Sequence, residues 1–384
     1  MSNDTLDTFH GWLGHSAAAA DGQMQWGPFT PRAFQDDDVD IAVTHCAVCH
    51  TDHGMLTGVW GPVEYPLCVG HEIVGRIVRV GPKAKDRFAI GDRVGFGAQC
   101  DACLNRPFPY WNTAASAAPA AGDGHQGGCV PCSTGQEQYC PEIVPTYGVR
   151  RNYDGTLARG GYATHFRAKS HFTFPLPPEL PSAHAAPMLC GGITTYSPLV
   201  RFGCGPGKAV GVVGLGGLGH FAVLWAKALG ADRILGFSRS VGKKDDAMAL
   251  GCDEYLATLE DGYADAIKER EASLDIILCT ASSVGEELES YITLLKPGGT
   301  FVLLGNADGG KLQVPTLPML MKKINVAGSL IGSPAEIRDM FKLAVEKGVK
   351  PWVQERDMQD ANEALKDIAA GNARYRLCLV NKDA

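Results

Sequence analysis

Residues 210–220 read V-G-V-V-G-L-G-G-L-G-H. An apolar run, Ala209–Val213, leads into Gly214-x-Gly216-Gly217-x-Gly219, and a helix-like segment spans residues 218–229. Strand, glycine turn and helix in that order form the context in which a glycine fingerprint binds a dinucleotide. The glycines allow a tight turn, close approach of backbone to pyrophosphate, and close packing of helix on strand. The new helix N-terminus presents free N–H groups and a partial positive charge to the phosphates. Gly214, Gly216, Gly217, Leu218 and Gly219 are therefore candidate cofactor contacts.

Further along the chain the same rhythm repeats. Short apolar runs at residues 233–237, Leu274–Cys279 and 300–304 alternate with helix-like segments at 243–250 and 285–295. Alternation of this kind predicts βαβ units on a parallel sheet. The end of the second strand bears on which cofactor binds. An acidic residue about 20 positions past the glycines would take the ribose 2′-hydroxyl. Here the chain reads Ser238-Arg239-Ser240, then Lys243-Lys244, with no carboxylate before Asp245. A hydroxyl, a guanidinium and an ammonium suit a 2′-phosphate, so Ser238, Arg239 and Lys243 point to NADP(H).

Before residue 190 the pattern differs, with short β-like runs at 39–44, 72–80 and 91–96 punctuated by glycine and proline. Residues 174–188 contain five prolines and read as a connection. Beyond Pro334 helical patterning dominates until an apparent closing strand at 374–380. Cys129-x2-Cys132-x7-Cys140, preceded by Cys103, makes a four-thiolate set of the kind that closes a structural, tetrahedral zinc site. Cys100 lies three residues before Cys103 and is an alternative fourth ligand. Residues 104–128 between them include an alanine-rich, low-complexity run, which predicts an exposed loop. A second, scattered set consists of Cys49 in C-H-T-D, His71 in G-H-E and Cys190 in L-C-G-G.

Composition sets outer limits. A chain of 384 residues, 45% hydrophobic and 20% charged, is long enough for two buried cores. A net charge of −7 excludes the electrostatic footprint of a general nucleic-acid or anionic-membrane binder. Residues 1–8 lack a basic n-region and an apolar h-region, so a secretory signal is not expected. The uncharged stretch between Lys208 and Lys227 holds five glycines and reads as strand, turn and helix, not a membrane span. Thirteen clustered cysteines then read as intracellular thiols suited to metal, and the expected compartment is the cytoplasm.

Together these residues resemble the zinc-dependent medium-chain alcohol dehydrogenases, in particular the cinnamyl-alcohol-dehydrogenase-like, NADP(H)-dependent branch. The resemblance extends over residues 43–52 (V-T-H-C-A-V-C-H-T-D), 70–75, 91–99, the cysteine lobe, 190–199, 214–244 and the closing R-Y-R-L at 374–377. It implies an α/β protein: a β-rich GroES-like catalytic domain (1–192 and 333–384, with a structural-zinc lobe at 100–140) and a Rossmann domain with a doubly wound parallel sheet (193–332). It implies two zincs per chain, one held by Cys49, His71 and Cys190, the other by Cys103, Cys129, Cys132 and Cys140. Glu72 resembles a carboxylate that approaches the metal during ligand exchange, and Asp52 the acid that orients His71. Thr51 matches the hydroxyl that takes the alcohol proton, His50 a cation near the pyrophosphate, and Thr194 a neighbour of the nicotinamide.

Two departures stand out. The family places a histidine five residues after the zinc cysteine, whereas this chain has Gly54 there and His53 one place earlier. The family lobe spaces its cysteines C-x2-C-x2-C-x7-C, whereas here 25 residues separate Cys103 from Cys129. Loop-closure cost grows only logarithmically with length, so the lobe tolerates such an insertion. The implied activity is hydride transfer between NADP(H) and aldehydes or primary alcohols, aromatic or medium-chain. A non-catalytic NADP(H)-binding redox sensor or relic is the alternative, and a zinc-ribbon interaction module ranks behind both. Small molecules are the expected partners, and members of this branch are commonly homodimers.

Overall fold

The computed structural model describes residues 7–105, 128–148, 152, 155–281, 284, 287–305 and 311–382. Most of the 104–128 insertion lies outside the described residues. Two compact units emerge: 1–190 with 332–341 and 352–384, and 191–331 with 342–351.

The first unit opens with an antiparallel pair, β1 (Phe9–Leu13) and β2 (Gln25–Phe29). Its strands continue as β3 (Asp38–Val48), β4 (Ile73–Val80), β5 (Arg93–Phe96), β6 (Gln99–Asp101), β7 (Val144–Pro145), β8 (His165–Lys169) and β9 (Thr173–Pro175). Helix α1 (His50–Thr57) follows β3; α2 (Val130–Ser133) lies in the cysteine lobe; α3 (Ser182–Pro187) follows β9. β3 is the spine, because Val39, Ile41 and Val43 are fully buried and it pairs antiparallel with both β4 and β8. Two register shifts along the β3–β4 pair, of the kind bulges make, interrupt an otherwise regular ladder.

The second unit is a six-stranded parallel sheet of β10 (Ala209–Val213), β11 (Arg233–Ser238), β12 (Glu254–Ala257), β13 (Leu274–Cys279), β14 (Leu295–Leu303) and β15 (Asn325–Gly328), ordered β12-β11-β10-β13-β14-β15. Helices α4 (Ile193–Arg201), α5 (Gly219–Leu229), α6 (Lys244–Leu250), α7 (Tyr263–Glu269), α8 (Leu288–Leu294) and α9 (Thr316–Lys322) belong to it. Strand order reverses between β10 and β13, the switch point where doubly wound sheets bind ligands. All five residues of β10 are buried, as expected for a strand covered on both faces. Val213, Phe237, Ile277 and Phe301 pack with Leu288, Tyr291 and Ile292 of α8.

The chain closes with α10 (Pro334–Lys347), β16 (Val353–Asp357), α11 (Ala361–Ala369) and β17 (Arg376–Val380). β17 pairs with β3, which completes the large sheet of the first unit in the order β16-β17-β3-β4-β5-β9. β10 and β13 match the expected runs, and the expected helix at 285–295 is Leu288–Leu294, giving way to strand at Leu295. The proline-rich connection at 174–188 contains a helix, α3, and leads into a π-turn, Met188–Gly192. β12, β15 and β16 carry no clear sequence signal; each is an edge strand, where half-exposed polar positions blur the apolar period.

Candidate active site and metal centres

Cys49 ends the β3 run and stands at the N-terminal boundary of α1. Asp52 closes that boundary by accepting from the Cys49 backbone N–H at 2.9 Å, so the C-H-T-D spacing sets up the turn that aims the thiol. His71 and Glu72 immediately precede β4, whose ladder with β3 is extended by Ala47 N–H donating to the Glu72 carbonyl at 3.0 Å. Gly70 is required before them. It has φ of +101°, and a Cβ there would lie 2.5 Å from the Tyr162 ring and 2.9 Å from Cys46 Sγ. Cys190 sits in a one-turn π-helix, Met188–Gly192, between α3 and α4. Such π-turns recur at functional sites because they re-aim one side chain.

These elements bring Cys49, His71, Glu72 and Cys190 together, with one donor atom of each within 4.8 Å of the others, all four residues buried. The neighbouring electrostatics suit a cation. Burial opposes a charge on His71, but Asp52 and the Cys49 thiol outweigh it and hold its pKa well above the usual range. A hydrogen bond from Cys190 drives the Cys49 thiol well below its ordinary pKa, while the same contact and burial push Cys190 up. Burial lifts Glu72 to about 7 against the pull of Arg376, with which it forms a buried ion pair. His71 Nε2 is buried with no hydrogen-bond partner. An imidazole nitrogen beside two cysteine sulfurs matches the Cys2His donor set of an open, catalytic zinc site.

Asp52 is wholly buried and gathers donors on both oxygens. Thr51 Oγ1 lies 3.5 Å from Cys49 Sγ. His50 is exposed at the start of α1 and His53 is half-buried on it; neither joins the cluster. Cys46 is buried in β3 outside it. Where the family has its histidine, a Cβ on Gly54 would meet Trp60 Cη2 at 2.8 Å and Val59 at 3.2 Å. The Trp60 indole therefore occupies the space a side chain at 54 would need.

The lobe forms a second cluster of Cys103, Cys129, Cys132 and Cys140. Cys103 Sγ is 3.4 Å from Cys129 Sγ, which is 3.7 Å from Cys140 Sγ. Tetrahedral Zn–S bonds imply sulfur separations of about 3.8 Å, so the four sulfurs fit that ion. Backbone N–H groups of Cys132 and Glu142 donate to the Cys129 and Cys140 sulfurs at 3.4 and 3.3 Å. Cys100 is not in the cluster; its thiol donates to the Pro145 carbonyl at 3.3 Å, and burial pushes it up to about 12.

In the second unit, Gly214 has φ of +87°, and a Cβ on Gly219 would lie 1.9 Å from the Gly214 carbonyl. A Cβ on Gly216 would meet nothing within 4 Å, which leaves the crest of the turn open to a phosphate. Leu218 precedes the first residue of α5. Ser238 ends β11, Arg239 is exposed just beyond it, and Lys243 Nζ donates to the Leu215 carbonyl in the glycine turn at 2.7 Å. Thr194 is buried in α4. Tyr147, Tyr162 and Arg376 contact the cluster or its supports yet carried no individual sequence signal. Only the closing R-Y-R-L hinted at Arg376, because long-range packing alone brings these three side chains there.

Residues 35–178 match the alcohol dehydrogenase GroES-like domain and residues 217–346 the zinc-binding dehydrogenase family. The chain belongs to the zinc-binding medium-chain dehydrogenase/reductase family. It is 38% identical over 358 residues to NADP-dependent alcohol dehydrogenase 6 of Saccharomyces cerevisiae, covering 92% of each chain. It is 36% identical to vomilenine reductase of Rauvolfia serpentina, covering 96% of this chain and 94% of that one. Among solved structures, a cinnamyl alcohol dehydrogenase from Sorghum bicolor superposes with a TM-score of 0.83 at 34% identity, covering 97% of both chains. Within the family it is closely related to the cinnamyl and aromatic alcohol dehydrogenases.

Proposed function

We propose that this protein is a zinc-dependent, NADP(H)-linked oxidoreductase that interconverts aldehydes and primary alcohols, with aromatic (cinnamyl- or benzyl-type) or medium-chain substrates. The observation that carries this reading is the buried Cys49–His71–Glu72–Cys190 cluster with its unpartnered imidazole nitrogen. Cys49, His71 and Cys190 would hold a zinc that supplies Lewis-acid polarisation of the carbonyl, and a nicotinamide would supply or accept the hydride. Two thiols and an imidazole leave a coordination position open to substrate. Glu72 pairs with Arg376, and it is the carboxylate that joins the donor cluster. Thr51 Oγ1 takes the alcohol proton on oxidation and returns it on reduction, and the relay beyond it runs through His53, His50 or water. Thr194 borders the nicotinamide, and the turn at Gly214–Gly216–Gly217–Leu218–Gly219 carries the pyrophosphate. Ser238, Arg239 and Lys243 hold the 2′-phosphate. Cys103, Cys129, Cys132 and Cys140 hold a second, structural zinc.

In this reading the first unit is the catalytic domain and the second the NADP-binding domain. A cytoplasmic location accords with thirteen unpaired cysteines and with no described helix long and apolar enough to cross a membrane. A homodimer through β15 is supported by its open outer edge among the described residues, flanked by exposed Leu317, Leu320 and Met321. The deciding experiment measures NADPH oxidation with cinnamaldehyde or benzaldehyde alongside zinc per chain, in wild type and Cys190→Ala. Turnover with two zincs, falling to one zinc and no turnover in the variant, is expected. NADPH binding without turnover across an aldehyde panel would instead support the sensor reading.

A further inference from the structure

The hydrogen bonds beneath His71 fix more than its position. Asp52 Oδ1 meets Gly70 N–H at 3.1 Å, His71 Nδ1 at 3.1 Å and the Tyr147 hydroxyl; Oδ2 meets Cys49 N–H and the Tyr162 hydroxyl, each at 2.9 Å. The Tyr147 oxygen also lies 2.7 Å from His71 Nδ1, so it bridges acid and imidazole. Proton counting settles the direction of these bonds. Backbone N–H groups reach both Asp52 oxygens, and an N–H can only donate, so the carboxylate accepts. Tyr147 has one hydroxyl proton; given to Asp52, it leaves the phenol oxygen able to accept from Nδ1–H. The reverse arrangement, Tyr147 donating to Nδ1, would leave Asp52 Oδ1 facing a phenol oxygen and a ring nitrogen with no proton between it and either.

We infer that Tyr147 is a positioning residue that, with Asp52, locks His71 in the Nδ1–H tautomer and presents Nε2 as the donor to metal, while Tyr162 anchors the far oxygen of Asp52. Both tyrosines are buried, and the Tyr147 ring packs against the imidazole with centroids 5.5 Å apart. A histidine–carboxylate pair is an ordinary outer shell of a metal site. The bridging phenol adds a second acceptor for the same N–H, which narrows the ring's rotation as well as its protonation. The inference rests on His71 being a ligand.

The test uses the full-length zinc-loaded protein. Tyr147→Phe keeps the ring and removes the bridge; chelator competition is expected to show metal retention about 10–100-fold weaker at the catalytic cluster. The metal in the four-cysteine lobe and the thermal midpoint of the zinc-depleted protein should stay unchanged. The visible bands of the cobalt-substituted catalytic site should shift. Tyr162→Phe, which touches only Oδ2, should weaken retention less, and an equal or larger loss would overturn the assignment. Wild-type retention and an unaltered cobalt spectrum in Tyr147→Phe would overturn it too. His71→Ala separates the two levels: lost metal there with an unaffected Tyr147→Phe sinks only this inference, whereas unaffected metal in both sinks the ligand reading itself. Should Tyr147→Phe fail to fold, 3-fluorotyrosine at position 147, which keeps the ring and weakens the phenol oxygen as an acceptor, should shift the cobalt bands, and unshifted bands would overturn the lock.

Discussion

Arg239 is an exposed guanidinium at the end of β11, with no carboxylate beside it before Asp245. If it holds a 2′-phosphate, Arg239→Ala should raise KM for NADPH by about 10–100-fold, the worth of a charge-assisted hydrogen bond, while KM for NADH stays put. Equal loss for both cofactors would move the phosphate contact elsewhere. Gly70 tests a backbone constraint in the same way. Gly70→Ala combines a left-handed φ with a clash against the Tyr162 ring, and should cost on the order of 3 kcal/mol in denaturant unfolding. Protonation of the Cys49 and Cys190 thiols and of the His71 imidazole as pH falls gives a third outcome. Metal must displace those protons, so zinc affinity should fall as pH drops, by about tenfold per unit for each proton displaced, in a pH-dependent chelator titration.

At the scale of elements, two junctions carry testable weight. Three residues separate Cys140 from β7, β7 pairs with β6, and Tyr147 follows β7 by two residues. Thr146 is tied to the same ladder by its hydroxyl on the Gly97 carbonyl at 2.5 Å. The lobe therefore sets where Tyr147 stands. Cys132→Ser, which opens the four-cysteine cluster, should also loosen metal at the catalytic cluster by severalfold, read as biphasic release becoming a single faster phase. The second junction is Asp275 at the start of β13. Burial raises its pKa, but the Lys296 ammonium at 2.6 Å, the Ala209 N–H at 2.9 Å and Lys208 at 3.3 Å outweigh that and lower it below the ordinary 3.8. A lowered carboxylate stabilises the fold above pH 3.8, and that stability disappears as pH falls through the native value. Asp275→Asn should thus cost on the order of 1 kcal/mol at pH 7, with the gap to wild type closing in the acid arm of a thermal-unfolding pH series.

For the molecule as a whole, the proposed homodimer is tested at β15, whose outer edge is open among the described residues, and at the apolar side chains of α9. Leu320, 79% exposed, is the sharpest probe. Leu320→Glu should shift sedimentation toward monomer without altering far-UV circular dichroism, and an unchanged dimer would place the interface elsewhere. At this scale legibility in the sequence was uneven. β10, β13 and the glycine turn were readable because buried parallel strands are continuous apolar runs, and a backbone that must approach a phosphate admits only glycine. Three of the lobe cysteines, Cys129, Cys132 and Cys140, were readable from local offsets, since one loop supplies them. β12, β15 and β16 were not, because edge strands lack a clean apolar period. By itself the chain determined the donor types, the cofactor turn and the alternation that builds a doubly wound sheet, all of which act within a few residues. Only the tertiary structure decided that Cys49, His71, Glu72 and Cys190 converge, that Cys103 rather than Cys100 completes the lobe, and that Tyr147 and Tyr162 close on Asp52. Those contacts join residues up to 141 positions apart (Cys49 to Cys190, 190 − 49), and antiparallel register and helix packing, not local preference, bring them within reach.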